Sequence, residues 1–104
     1  MKKVTEETKI KHQVKDYLRL KGWFIFHNLA GTGVYKGIPD FIAVKEGFVI
    51  FLEIKTPEGK LSQHQKEFQK NIEDHNGNYF VCRSLEDAIK LNVNIDEVTY
   101  YENK

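Results

Sequence analysis

Cysteine is almost absent from this 104-residue chain: Cys82 stands alone, so no intramolecular disulfide braces the fold. Cys82 lies in an apolar, strand-like stretch and reads as a small buried hydrophobe. Long apolar runs are missing too. None approaches the ~20 residues of a membrane span, and no apolar segment with a cleavage site opens the chain, so a soluble cytoplasmic protein is expected. Neither sign of charge dominates: 16 basic residues against 15 acidic ones leave a net charge of +1. A global electrostatic pull on nucleic acid is therefore excluded, and any phosphate-binding surface must come from local segregation of charge. The histidines, His12, His27, His64 and His75, show no His-x₃-His spacing, which argues against a zinc site. No serine or cysteine nucleophile motif is present, nor a phosphate-cradling glycine signature with its lysine. No repeat or low-complexity tract divides the chain, so residues 1–104 read as one domain with a single core.

What is present is a clear alternation of elements. Ile10, Val14, Tyr17 and Leu18 form one apolar stripe on a helix from about Thr5 to Lys21, which Gly22 ends. Trp23-Phe24-Ile25-Phe26-His27 follows as a strand. Residues 28–38 read as a loop carrying Gly31, Gly33 and Gly37, mobile without a ligand, with His27 and Asn28 at its mouth. Two β-branched and aromatic runs, residues 40–44 and 48–55, then flank Lys45-Glu46-Gly47, a hairpin signal. Both faces of that hairpin are apolar, which implies a central sheet covered on both sides. After Thr56-Pro57-Glu58-Gly59, Ser62 opens a second helix to about Asn76, with Phe68 and Ile72 inward and Gly77 as its stop. Tyr79 to Cys82 is a further strand, and Ser84 caps a short helix through Leu91. The tail from Val93 reads either as an edge strand, through Val98, Tyr100 and Tyr101, or as a segment packed on a partner. The order α-β-β-β-α-β-α gives an α/β layer fold with a mixed sheet flanked by helices.

The hairpin carries the chemistry. With Glu46-Gly47 at the tip, Asp40 falls opposite Glu53, about 5 Å apart at Cβ. Lys55 is two residues beyond Glu53 and points to the same face. Carboxylates at the end of an apolar hairpin must be paired, protonated or bound to a cation, because a lone desolvated carboxylate is too costly. Hard oxygen ligands of this kind suit Mg²⁺ or Mn²⁺. The plainer alternative makes Glu53 and Lys55 exposed strand residues and Asp40 a turn residue after Pro39.

Two more residues carry double readings. At about 100° per residue Glu7 falls about 35° from the centre of the first helix's stripe, closer than Glu6 at about 65° on the other side. Glu7 is thus either a third carboxylate for the site, directly or through water, or a first-turn acid favourable to the helix dipole. Gln65 completes a capping box with Ser62, yet it also continues the inward stripe of Phe68 and Ile72 toward the hairpin mouth. The two roles do not exclude each other.

Gly37-Ile38-Pro39-Asp40, Glu53-Ile54-Lys55, Leu61-Ser62 with Gln65, Glu7 in the first helix and Arg83-Ser84-Leu85-Glu86-Asp87 together resemble one family. The chain is similar to the VRR-NUC domains of the PD-(D/E)xK nuclease superfamily, in particular the small stand-alone members of phages and bacteria. The resemblance runs over nearly the whole chain and implies a restriction-endonuclease-like fold. It also implies a Mg²⁺- or Mn²⁺-dependent endodeoxyribonuclease. Asp40 and Glu53 would hold the metal with the Ile54 carbonyl, and Glu7 would be the helix-borne acid. Lys55 would orient or activate water, and Gln65 would complete the motif. One departure stands out: family members often carry an arginine and a longer basic loop before the Gly-x-Pro-Asp segment. Here that stretch is His27 to Lys36.

A small catalytic module has little surface for reading sequence, so DNA shape and phosphate contacts should dominate recognition. The expected substrate is branched DNA such as a four-way junction, and the resemblance implies a homodimer, whose two-fold axis would pair two sites. Lys9, Lys11, Lys15, Lys36, Lys60, Lys66 and Lys70 are candidate contacts to the DNA backbone. The competing readings are a non-catalytic DNA-binding or interaction module and a sequence-specific restriction-type nuclease.

Overall fold

The computed structural model describes residues 4–28 and 35–102. Its elements are α1 (Glu6–Leu20), β1 (Phe24–His27), β2 (Phe41–Lys45), β3 (Phe48–Ile54), α2 (Gln63–Asp74), β4 (Asn78–Cys82) and α3 (Leu85–Glu102). This is the order read from the sequence. The four strands form one sheet in the order β1-β2-β3-β4, with β1–β2 and β2–β3 antiparallel and β3–β4 parallel. The parallel pair arises because α2 returns the chain to the opposite end of the sheet before β4 begins. No helix among the described residues is long and apolar enough to cross a membrane.

The Thr5 hydroxyl starts α1 by accepting a hydrogen bond from the Thr8 amide at 3.1 Å. Beyond Lys21, Gly22 takes a left-handed φ of +93° and turns the chain into β1. The stripe of Ile10, Val14 and Leu18 is buried as expected. It packs on Phe41, Ala43, Ile50, Leu52 and Ile54, the inner face of the hairpin. Each fully buried Leu, Ile or Phe in that layer contributes about 1.5–3 kcal/mol relative to exposure. At the hairpin tip Glu46 and Gly47 both have positive φ, +51° and +83°, which is the type I′ geometry of a two-residue loop. The register runs from Phe41↔Leu52 to Lys45↔Phe48, so one step further places Asp40 opposite Glu53.

Two expectations are corrected. The last helix does not stop at Leu91, and the tail is not an edge strand: α3 continues to Glu102. Ala88, Leu91 and Ile95 recur at helical spacing and enter the same core as α1. Asn92, only 4% exposed, accepts a hydrogen bond from Trp23 Nε1 at 3.0 Å, which fastens the helix beyond Leu91 to the start of β1. The second correction concerns the outer face of the sheet. There α2 covers the β3–β4 side, where Phe68 meets Phe51 at 5.8 Å and Tyr79 at 6.4 Å between ring centroids. On the β1 side Phe24 is 68% exposed and Phe26 is also exposed, as is Val49 at the start of β3. Among the described residues that half of the face is open. Residues 29–34, with Gly31 and Gly33 of the expected loop, lie outside the described residues.

Candidate active site

The antiparallel hairpin brings the start of β2 and the end of β3 to one end of the sheet, and Asp40 and Glu53 meet there. Asn28 braces the approach: its side-chain amide donates to the Pro39 carbonyl at 3.0 Å and its backbone amide to the Asp40 carbonyl at 2.9 Å. Asp40 Oδ2 in turn accepts from the Ile54 amide at 2.8 Å, so one carboxylate oxygen is spent on orientation. Glu53 is 4% exposed, and its Oε2 is buried with no hydrogen-bond partner among the described residues. Burial, then the hydrogen-bonding and charge of the adjacent Asp40 carboxyl, push the Glu53 carboxyl up to about 9; Lys55 and Lys11 pull the other way.

A buried, partnerless carboxylate oxygen beside a second carboxyl group is a poor arrangement for the apo chain and a good one for a divalent cation. The donor set is hard oxygen only, which fits Mg²⁺ or Mn²⁺ better than a softer metal. Among the described residues no three acidic, histidine or cysteine side chains cluster as a metal cage. The protein thus offers two carboxylates, and the remaining positions would fall to water and substrate oxygens.

The other expected site residues are placed as follows. Lys55 directly follows β3, is half-buried, and its backbone amide donates to the Cys82 carbonyl at 3.0 Å. Glu7 stands off from the pair and reaches it through Lys11, whose ammonium lies 3.5 Å from Glu7 Oε2 and 3.2 Å from Asp40 Oδ1. Burial alone would pull the Lys11 ammonium down, but Asp40 and then Glu7 outweigh it, so its pKa is raised. Gln65 caps its own helix. Its Oε1 accepts from the Ser62 amide at 2.8 Å in a complete capping box. It also lines, with Asn28, Lys36, Asp40 and His64, a cleft of about 390 Å³ between the Gly37–Asp40 segment and the start of α2. His27 packs its ring on Phe41 at 4.5 Å; burial and the nearby Lys15, Arg19 and Lys11 lower its pKa, so it favours the neutral form.

Sequence reasoning missed three contributors. Lys11 reads as a DNA contact, although its position one turn after Glu7 was the available signal. Tyr79 is buried with a hydroxyl that has no partner among the described residues, and burial together with the charges of Glu53 and Asp40 raises its pKa. Arg83 donates from Nη1 to the carbonyls of Thr56 and Gly59, which pins the turn after Lys55; no local pattern announces that contact.

The Glu53 shift has a consequence for the metal-free protein. Between the ordinary carboxylate range and about pH 9 the folded chain holds a proton on Glu53 that the unfolded chain has released. Its contribution is therefore full at low pH and is lost as pH rises through about 9. Melting temperatures in EDTA should fall from about pH 5 to about pH 9, and Glu53→Gln should flatten that slope. Parallel pH curves for the two proteins would count against the buried, protonated carboxyl.

Comparison with known proteins agrees with the fold. A family model described as the VRR-NUC domain matches residues 8–86. A solved structure described as a VRR_NUC domain superposes with a TM-score of 0.74 at 25% identity, covering 84% of this chain and 94% of that one. No curated protein matches the chain.

Proposed function

The chain belongs to the VRR-NUC family, whose members are nuclease-like DNA-processing domains, and we propose that it is a divalent-metal-dependent endodeoxyribonuclease acting on branched DNA. The observation that carries the reading is the buried Glu53 Oε2, without a partner among the described residues, beside Asp40 at the end of the two central strands. Asp40 and Glu53 would hold the cation. When bound, Mg²⁺ or Mn²⁺ supplies Lewis acidity toward the phosphate and eases removal of a proton from the attacking water.

The chain's own residues do the rest. Lys55 sets a positive charge at the edge where the phosphate would lie, offsetting negative charge that grows on the phosphoryl oxygens. Water oxygen bonds to phosphorus, one ester P–O bond breaks, and the departing alkoxide takes up a proton. Gln65 and Asn28, in the cleft beside Asp40, offer amide groups to the DNA backbone. A homodimer is supported by the open apolar patch of Phe24, Phe26 and Val49, since a second copy would cover it. Two sites related by a two-fold axis suit paired cuts in a four-way junction.

The test is a panel of labelled linear, forked and four-way DNAs with Mg²⁺, Mn²⁺ or EDTA. Metal-dependent cutting confined to branched substrates is the expected result, and Lys55→Ala should cut on the order of 10²-fold more slowly while still binding Mn²⁺. Binding without cutting under either metal would instead mark a non-catalytic DNA-binding module. Cutting of linear duplex at one sequence would mark a restriction-type enzyme.

A further inference from the structure

The free oxygen of the Asp40 carboxylate already has a cation on it. Asp40 Oδ2 is committed to the Ile54 amide, and Oδ1 lies 3.2 Å from Lys11 Nζ. Lys11 is held at this point by Glu7, one helical turn earlier on α1, at 3.5 Å. The α1 N-terminus therefore delivers an ammonium to the edge of the carboxylate pair. A divalent cation on Asp40 Oδ1 and a protonated amine at 3.2 Å from the same oxygen would repel strongly, so the two occupants compete. The four-carbon stem of lysine allows the ammonium to leave without moving the helix, and its side chain is 30% exposed, which gives it a route outward. Glu7, with its side chain 41% exposed, offers the ammonium a partner after it leaves Asp40.

We propose that Lys11 is a displaceable internal cation that competes with the divalent metal for Asp40, while Glu7 retains it when it is displaced. This rests on the metal-dependent reading of the same site. Lys11 orders Asp40 and limits unpaired negative charge while no metal is bound, and it sets how tightly metal is taken up. Lys11 is thus a positioning residue, not a ligand, and Glu7 acts on the metal through it.

The experiment is calorimetric titration of MnCl₂ into wild type, Lys11→Met, Lys11→Gln, Lys11→Arg and Glu53→Gln, with melting temperatures of each in EDTA. Lys11→Met and Lys11→Gln should bind Mn²⁺ on the order of 10-fold more tightly than wild type and melt lower in EDTA. Lys11→Arg keeps the charge and should stay near the wild-type affinity. Unchanged or weaker Mn²⁺ binding in whichever neutral variant folds would overturn the competition, provided wild type binds and Glu53→Gln does not. If wild type and Glu53→Gln alike bind no Mn²⁺, the underlying metal site fails, and the role of Lys11 fails with it.

Discussion

Asp40→Asn and Glu53→Gln are each expected to cut branched DNA on the order of 10³-fold more slowly than wild type, with the fold intact. The two conservative changes are preferable to alanine for a structural reason. Asn at position 40 can still accept the hydrogen bond that the Ile54 amide donates at 2.8 Å, so the β2–β3 edge keeps its brace. Alanine there would leave that amide without its acceptor and deprive Lys11 of one of its two carboxylates. At position 53 glutamine removes a carboxyl oxygen that has no partner and adds an amide that can donate to Asp40. Loss of cleavage in Glu53→Gln should thus coincide with equal or higher metal-free stability. Circular dichroism, melting in EDTA and junction cleavage, measured on the same preparations, check both halves. Near wild-type, Mg²⁺-supported cutting in either variant would remove these residues from the role of metal ligands.

The hairpin was legible because a two-residue tip leaves no freedom in register. Once Glu46-Gly47 is the turn, Asp40 must face Glu53, and the observed pairing obeys that arithmetic. The first helix was equally clear from its stripe and from Gly22 at its end. The tail was not, and the reason is physical. Asn92, Val93 and Asn94 are weak helix formers, so local propensity favours ending α3 near Leu91. What carries the helix onward is the hydrogen bond that Trp23, a residue far away in sequence, donates to Asn92, with Ile95 packed in the core. Lys11 was hidden for a related reason. A lysine on a helix flank looks like any solvated base until the fold sets a carboxylate opposite it. The exposed Phe24 and Phe26 ran against the expectation of a sheet covered on both sides, because a continuous apolar strand reads as buried on both faces, whichever layer is there to cover it.

Gly37→Ala should damage both stability and cleavage, and the two losses should separate by temperature. Gly37 has φ +81°, and a Cβ there would overlap the His64 carbonyl and come within 2.9 Å of the Gln65 amide nitrogen. Both neighbours are backbone in the capped first turn of α2, so neither yields as a side-chain tip would. We expect a loss of about 2–4 kcal/mol and a melting temperature lower by roughly 10–20 °C. The contact seats the segment leading to Pro39 and Asp40 against the helix that carries Gln65. Relief of the overlap must shift that segment. Well below the new melting temperature, where the chain is folded, cleavage should still be down by on the order of 10²-fold, because misplacement of a ligand by about 1 Å is enough. Gly47→Ala is the control: it shares a positive φ, +83°, but its Cβ would meet nothing within 4 Å among the described residues. That variant should lose only the backbone strain, about 1 kcal/mol, and cut at the wild-type rate. If Gly37→Ala matched Gly47→Ala in both measurements, the close approach between the Gly37–Asp40 segment and α2 would not be what holds Asp40 in place.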